Sequence, residues 1–218
     1  MSDYKSIYDR LFSEYGPQSW WPAETPFEVM VGAILTQNTA WLNVERAITN
    51  LRNAGLLSAP AMLETSHAKL APLIKPSGYF NVKAERLLGF VRWYCQQGQY
   101  DSLKKLHTAR LRKALLSVKG IGPETADDIL LYAFNRKVFV IDAYTRRIFS
   151  RLGYIDNAMT YEALRAVIEA GLEVENTRVF NEYHALIVKH GKEGCKVRPD
   201  CSRCCLETLC PKNGLGDD

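Results

Sequence analysis

The chain has 218 residues, of which 47% are hydrophobic and 24% charged, and its formal net charge is +4 at pH 7. This composition is ordinary for a soluble globular protein, and no apolar run approaches the roughly 20 residues that a membrane-spanning helix needs. The N-terminal stretch MSDYKSIYDR lacks the hydrophobic region of a secretory signal, so we expect a cytoplasmic protein. The mild basicity permits a polyanionic partner without requiring one.

Helical periodicity dominates the first half of the chain. Residues 26–54 carry apolar residues at 3–4 spacing, interrupted by the polar TQNT at 36–39, which predicts two helices joined by a tight turn. Gly55 is a plausible stop for the second. Further helices are predicted over 60–74 and 83–98, with the loop KPSGYFN between them.

The second half continues the pattern, with helices predicted over 106–118, 160–172 and 176–189. Pro123 stands at a natural first helical position. The run VFVI at 138–141 is strand-like but short, and Asp142 follows it where the N-cap of another helix belongs. These elements favour an all-α architecture with short links, and the chain divides more naturally into two lobes than into one bundle.

Five of the six cysteines fall in CKVRPDCSRCCLETLCP, which indicates a metal centre because a disulfide scaffold would spread its cysteines. The spacing Cys195-x5-Cys201-x2-Cys204-x5-Cys210 provides four thiolates for a tetranuclear iron–sulfur cluster or for a zinc ion. Only one Cys-x2-Cys pair occurs, whereas zinc ribbons usually have two, so we favour a [4Fe-4S] cluster. Cys205 is an alternative third ligand.

The segment VKGIGPETADD contains a Gly-x-Gly turn between two predicted helices. Gly120 and Gly122 allow positive φ and close backbone approach, and the turn and the next helix N-terminus together would form an anion site. Lys119 would add positive charge. The plainer interpretation is an ordinary helix–helix turn, and Glu124, an acid beside a phosphate-binding turn, needs an explanation under either interpretation.

The context of this turn resembles a known family. LLSVKGIGPETADDILLYAF followed by VFVIDAYTRRIFSRLG is similar to the helix-hairpin-helix and the Gly/Pro-rich loop with aspartate of the endonuclease III superfamily of DNA glycosylases. The segments FEVMVGAILTQNTAW, SGYFNVKAERL and HGKEGCKVRPDCSRCCLETLC resemble further parts of that family. The last has one residue fewer than usual between its first two cysteines, and Cys205 replaces a proline.

The resemblance implies two helical lobes with the active site between them: a six-helix-type lobe over 26–135, and 1–25 plus 136–218 with the iron–sulfur loop. It implies a monomer that binds double-stranded DNA containing a damaged base and cuts the N-glycosidic bond, nucleoid-associated if bacterial. Asp142 matches the catalytic aspartate, whose carboxylate would stabilise the positive charge that builds on the sugar. This role is compatible with capping a helix.

Bifunctional members carry a lysine at the position of Glu124, and its amine forms a Schiff base that leads to strand cleavage. A glutamate has no such chemistry, so the resemblance implies a monofunctional enzyme. The pattern resembles the 3-methyladenine DNA glycosylase III group, which excises alkylated purines, and Trp20, Trp21 and Trp41 would line a pocket for a cationic base. Core packing is the alternative for these tryptophans, and capping of its own helix is the alternative for Glu124.

Two more residues take their expected roles from the resemblance. Gln37 matches a residue that enters the gap left by a flipped base, and Tyr79 matches a wedge on the opposite strand; helix capping and loop packing are the alternatives. Two other functions remain open: a lyase-competent glycosylase for oxidised pyrimidines, and a non-catalytic protein that binds damaged DNA.

Overall fold

The structure is a computed structural model that describes residues 3–156, 158–172 and 175–215. Every regular element in these ranges is helical, as predicted, and none of the helices is long and apolar enough to cross a membrane. Contacts divide the chain into a unit of residues 21–136 and a unit that combines 1–20 with 137–218. The lobes expected from sequence have their boundaries at 25/26 and 135/136, whereas the units of the structure have them at 20/21 and 136/137.

The helices are α1 (Asp3–Tyr15), α2 (Pro26–Leu35), α3 (Trp41–Asn53), α4 (Ala59–Leu63), α5 (His67–Leu73), α6 (Phe80–Gln96), α7 (Gln99–Leu103), α8 (Thr108–Leu116), α9 (Pro123–Asp128), α10 (Ala143–Arg151), α11 (Tyr161–Gly171) and α12 (Thr177–Glu193). A π-helical turn, Ile129–Ala133, continues α9. Short 3₁₀ turns cover Lys75–Ser77, Cys201–Arg203 and Glu207–Leu209.

Helix α2 is the central element of unit 21–136. All its residues from Phe27 to Leu35 are buried, and it packs against α3, α6, α9 and the π-helical turn. Glu28 is the one charged residue in this helix, and Arg52 of α3 lies 2.6 Å from its carboxylate, which offsets the cost of burying the charge. The helix ends at the predicted polar turn, where the Thr36 hydroxyl donates to Gly32 O.

Two predicted boundaries differ from the structure. The single helix expected over 60–74 is divided into α4 and α5, because Ser66 caps a new helix with a side-chain bond to the Lys69 amide. Helix α6 begins three residues before the predicted position, after Tyr79, which adopts a left-handed conformation with φ +46°. Helices α1 and α7 were not predicted.

The run at 138–141 forms no strand. Its four side chains are buried, but its backbone donors bond to side chains: the Phe139 amide donates to Glu169 and the Ile141 amide to the Tyr161 hydroxyl. A fully buried run has the same sequence signature in either case. Asp142 is the N-cap of α10, as predicted.

In the other unit, α12 packs against α1 and α10. Tyr183 is the centre of an aromatic core, with ring contacts to Phe139, Phe149 and Tyr8 at centroid distances of 5.4–6.3 Å. This packing fixes α10, which has Asp142 at its N-terminal end and the cysteine loop, residues 195–210, against its C-terminal half. One helix therefore positions both features.

Candidate active site and cysteine centre

The hairpin, residues 119–122, has two glycines with different structural roles. Gly120 has φ +90°, and a Cβ there would lie 2.5 Å from Cδ of Arg86, so only glycine fits. Gly122 has φ −90° and is exposed, and a Cβ there would meet no atom within 4 Å. The positive φ that both glycines allow is adopted by Gly120 alone of the two, whereas Gly122 leaves the surface at the start of α9 clear.

The two helices that flank the hairpin are joined by a buried ion pair. Arg112 of α8 donates to both carboxylate oxygens of Asp127 in α9, at 2.7 and 3.0 Å, and the Asp127 side chain is fully buried. A bidentate pair of this kind has a defined geometry. It fixes the angle at which the helices enter and leave the hairpin.

Gln37 holds the turn after α2 to the hairpin. Its amide nitrogen donates to Gly120 O at 2.9 Å and to the Thr125 hydroxyl at 3.0 Å. Its carbonyl oxygen accepts from Arg86 at 2.7 Å. To enter a gap in DNA, Gln37 would have to break three hydrogen bonds, a cost that its expected role did not include.

Three other side chains near these segments point outward. Asn38, next to Gln37, is exposed in a left-handed conformation with φ +53°. Tyr79 is 74% exposed, an unusual position for a large aromatic side chain. Lys119 is 90% exposed and lies 3.0 Å from the Glu85 carboxylate of α6, so it would have to exchange this partner to meet a phosphate.

An aromatic cluster lies elsewhere in the same unit. Trp21 contacts Trp41 edge-on with centroids 5.0 Å apart, and it contacts Tyr132 at 5.3 Å. Gly32 makes room for it, since a Cβ there would lie 2.9 Å from the Trp21 ring. The Trp41 indole N–H donates to Glu45. The structure therefore brings together two of the three tryptophans singled out from sequence.

The remaining candidates of the expected pocket are placed as follows. Trp20 belongs to the unit formed by residues 1–20 and 137–218, and Trp21 to the other unit. Glu124 is exposed in the first turn of α9, where a helix N-terminus favours an anion by about 0.3–1 kcal/mol.

The Asp142 carboxylate uses its two oxygens differently. Oδ1 accepts the capping bonds from the Thr145 amide at 2.7 Å and the Thr145 hydroxyl at 2.8 Å, whereas Oδ2 lies 3.7 Å from Nε2 of buried His184. Burial acts to raise the pKa of Asp142, but the nearby His184 imidazole and the bonds from Thr145 outweigh it, so the pKa is lowered overall. Capping therefore leaves Oδ2 positioned for a second role.

Four cysteines of the cysteine loop line one cavity that is open to solvent: Cys195, Cys201, Cys204 and Cys210. Cys205 is not among the residues that line it. Within the described ranges, no three or more His, Cys, Asp or Glu side chains lie close enough together to bind one metal ion. The thiols thus surround a space rather than converge on a point.

Hydrogen bonds distinguish the cavity thiols from Cys205. The amides of Leu206 and Lys212 point to the Sγ atoms of Cys204 and Cys210, both at 3.4 Å. A hydrogen bond from Cys205 lowers the pKa of Cys204 against the effect of burial, and the same bond, with burial, raises the pKa of Cys205. Cys204 is therefore the thiol of this pair that ionises more readily.

Comparison with known proteins gives the family. Residues 31–173 match the HhH-GPD superfamily of base excision DNA repair proteins. A Methanocaldococcus jannaschii protein named "Putative DNA repair glycosylase MJ1434" is 46% identical over 207 residues, which cover 94% of each chain. The chain is a DNA glycosylase of the HhH-GPD superfamily.

Two solved structures extend the comparison. A 3-methyladenine DNA glycosylase (MagIII) of H. pylori, bound to 1,N6-ethenoadenine, superposes with a TM-score of 0.77 at 28% identity, covering 88% of this chain and 98% of its own. A non-covalent endonuclease III–DNA complex superposes with a TM-score of 0.80 at 17% identity, covering 95% and 94%. The latter likeness shows the fold alone. Endonuclease III of Sulfolobus acidocaldarius is 26% identical over 84% of this chain and 81% of its own.

Several residues of this glycosylase that contact the candidate site residues were missed by the reasoning from sequence. Tyr132 reaches Trp21 from the π-helical turn, a helix irregularity that is frequent at functional sites but is not encoded in a 3.6-residue pattern. His184 follows no metal or catalytic spacing, and Arg86 resembles any arginine on a helix surface. Neither LTQNT at 35–39 nor KGIG at 119–122 indicates from sequence that Gln37 bonds to the hairpin.

Proposed function

We propose that this DNA glycosylase is monofunctional: it hydrolyses the N-glycosidic bond of alkylated purines such as 3-methyladenine in double-stranded DNA and leaves an abasic site. The observation that carries the proposal is the carboxylate at Glu124, in the first turn of the helix after the hairpin. The resemblance places the Schiff-base lysine of bifunctional members at this position, and a carboxylate is unable to form that bond.

Asp142 supplies the catalytic carboxylate in this proposal. Cleavage of the glycosidic bond develops positive charge on the sugar, and an ionised carboxylate stabilises it and can orient a water molecule. Thr145 holds Oδ1, so the orientation of the group is fixed, and the lowered pKa keeps it ionised at neutral pH. The remaining oxygen, Oδ2, is the one assigned to the sugar.

The proposed lesion class rests on the positive charge of the damaged base and on the aromatic surface of the protein. N3-methylation gives adenine a positive charge and weakens its bond to the sugar, so little acid catalysis is needed from the protein. Aromatic faces attract a cation by about 0.5–2 kcal/mol each, and Trp21, Trp41 and Tyr132 provide such surface in one cluster. Glu124 would add electrostatic preference for a cationic purine over its neutral parent. The MagIII relative supports this assignment.

DNA engagement is assigned to three exposed segments of the unit that contains the hairpin. The amides around Gly120 and Gly122, with Lys119, would bind phosphate. Tyr79 remains assigned to the wedge. Because Gln37 is held in three hydrogen bonds, we assign the residue that enters the gap to its exposed neighbour Asn38.

The cysteine loop fits a [4Fe-4S] cluster held by Cys195, Cys201, Cys204 and Cys210. The four thiols line one cavity, and backbone N–H groups point to two of them, Cys204 and Cys210, as suits cluster thiolates. When bound, the cluster would cross-link the loop. Arg147 and Arg151 of α10 also hold the loop, through hydrogen bonds to its backbone carbonyls.

The test is release of free bases from methylated DNA, resolved by chromatography, with Glu124→Gln as the second arm. Wild type should release 3-methyladenine. Glu124→Gln should reduce excision of cationic lesions more than of a neutral lesion such as hypoxanthine, with little change in stability. Release of oxidised pyrimidines in place of alkylated purines would reject the substrate class, and an equal fall for both lesions would reject the electrostatic role of Glu124.

A further inference from the structure

Lys83 of α6 joins two loops through their backbone. It is only 2% exposed, and its Nζ donates to Leu35 O at 2.8 Å and to Ser77 O at 2.6 Å. Leu35 is the last residue of α2, directly before the turn 36–40, and Ser77 lies two residues before Tyr79. A buried ammonium group is costly unless it is well hydrogen-bonded, and here its bonds go to the two segments that carry Asn38 and Tyr79.

Arg86 lies about one helical turn after Lys83 and joins the turn to the hairpin. Its guanidinium donates to the Gln37 oxygen, and its aliphatic stem lies against Gly120. Because Arg86 is a donor, it fixes which way the Gln37 amide points, and the amide nitrogen is then directed to Gly120 O and Thr125. Residues at i and i+3 share one face of a helix.

We infer that the face of α6 carrying Lys83 and Arg86 sets the mutual positions of three segments, namely the turn 36–40, the loop 75–79 and the hairpin 119–122. Lys83, Arg86 and Gln37 are then positioning residues for lesion engagement. This inference rests on the proposed function, since it assumes that these segments meet DNA. It gives Gln37 a role other than the one expected from sequence.

The consequence concerns specificity more than general affinity. Affinity for any duplex comes mainly from phosphate contacts, which the hairpin would make alone. Engagement of a damaged site needs the hairpin on a phosphate while the turn and Tyr79 occupy the gap, so the distances between the segments must be set in advance. Loss of the hydrogen bonds made by Lys83, Arg86 and Gln37 should therefore lower the preference for a damaged site over an undamaged one.

The experiment compares binding of full-length variants to a duplex with a tetrahydrofuran abasic-site analogue and to the same duplex without it. Arg86→Met and Gln37→Met should each lower the ratio of the two affinities about tenfold, and the double variant should lower it no further, because both remove one network. Arg92→Met is the matched control: it removes an exposed positive charge from α6 outside this network and should leave the ratio unchanged. Circular dichroism verifies that each variant is folded.

Two results would overturn the inference: an unchanged ratio in folded Arg86→Met and Gln37→Met, or additive losses in the double variant. A wild type with no preference for the abasic analogue would overturn it as well. The ratio of affinities is measured without base excision. A wild type that prefers the abasic duplex but releases no alkylated purine would contradict the proposed substrate. The positioning role would still be decided by the ratios of the variants.

Discussion

Helices α6 and α10 both organise functional loops, but in different ways. Around α6, the hydrogen-bonding groups of the loops pair with other groups of the protein. Lys83 donates to two backbone carbonyls, and Arg86 holds Gln37 against the hairpin. At the end of α10, Arg151 donates to loop carbonyls and to Cys195 Sγ, yet four thiols still face a cavity.

The hairpin and the cysteine loop both stand out in the sequence as candidate functional loops, but they differ in what holds them in shape. The hairpin closes on itself through hydrogen bonds and the buried Arg112–Asp127 pair, so its shape is a property of the chain. Leu206 is the one buried residue of the cysteine loop, and in the proposed function a bound cluster would hold its four thiols together. Perturbations should therefore act on the two regions separately.

The largest expected effect is on the cysteine loop. Cys204→Ser should remove the iron and the brown colour and destabilise the protein by more than about 4 kcal/mol, as expected for loss of a bound metal centre. Cys205→Ser, the matched control, should retain about four iron atoms and near-normal stability. Iron analysis and thermal unfolding check both. Iron retained in Cys204→Ser but lost in Cys205→Ser would reassign the third ligand, and one bound zinc in wild type would reject the cluster.

The next effect concerns Asp142 at the other end of α10. Asp142→Asn should lower excision about 10²- to 10⁴-fold. His184→Asn removes the main group that lowers the Asp142 pKa, so the pKa should be higher in this variant than in wild type. Wild-type activity should be lost only below about pH 4, the ordinary aspartate range, whereas the His184 variant should lose activity at higher pH. Single-turnover rates against pH measure this shift. Coincident profiles would mean that His184 does not control the carboxylate, and unaltered excision in Asp142→Asn would favour a non-catalytic damage binder.

A smaller effect separates the two hairpin glycines. Gly120→Ala combines a positive φ with a contact of 2.5 Å to Arg86, and we expect a loss of about 1–3 kcal/mol. Gly122→Ala should change stability by less than about 0.5 kcal/mol but weaken DNA binding, because its methyl group would occupy the surface assigned to phosphate. Denaturant unfolding and binding to a plain duplex distinguish the two. Equal stability of both variants would show that the hairpin is not held as described.

The smallest effect is expected at the ion pair between Lys119 and Glu85. This pair is exposed, so it contributes little to stability. Glu85→Gln should leave Tm unchanged but increase affinity for duplex DNA about twofold at low salt, with the gain disappearing as salt is raised. Filter binding at two salt concentrations is sufficient. Unchanged affinity at low salt would place Lys119 away from the phosphate backbone.

Local signals made the fold and part of the site predictable. The polar turn after α2, the N-cap at Asp142 and Pro123 at the start of α9 depend on neighbouring residues alone, and the structure confirms them. The buried run at 138–141 was ambiguous because its partners, Glu169 and Tyr161, lie more than 19 residues away. The Gln37 network, the Tyr132 contact and the position of His184 depend on tertiary contacts between distant segments, which periodicity and spacing do not encode.

The assignment of hydrolysis without strand cleavage is tested most directly by borohydride trapping on DNA with an abasic site, run beside base release from methylated DNA. The proposed mechanism predicts release of 3-methyladenine and no covalent protein–DNA adduct, because Glu124 stands where a Schiff-base amine would be required. A stable adduct with wild type that disappears in Lys119→Ala would contradict it and assign this glycosylase to the lyase-competent class.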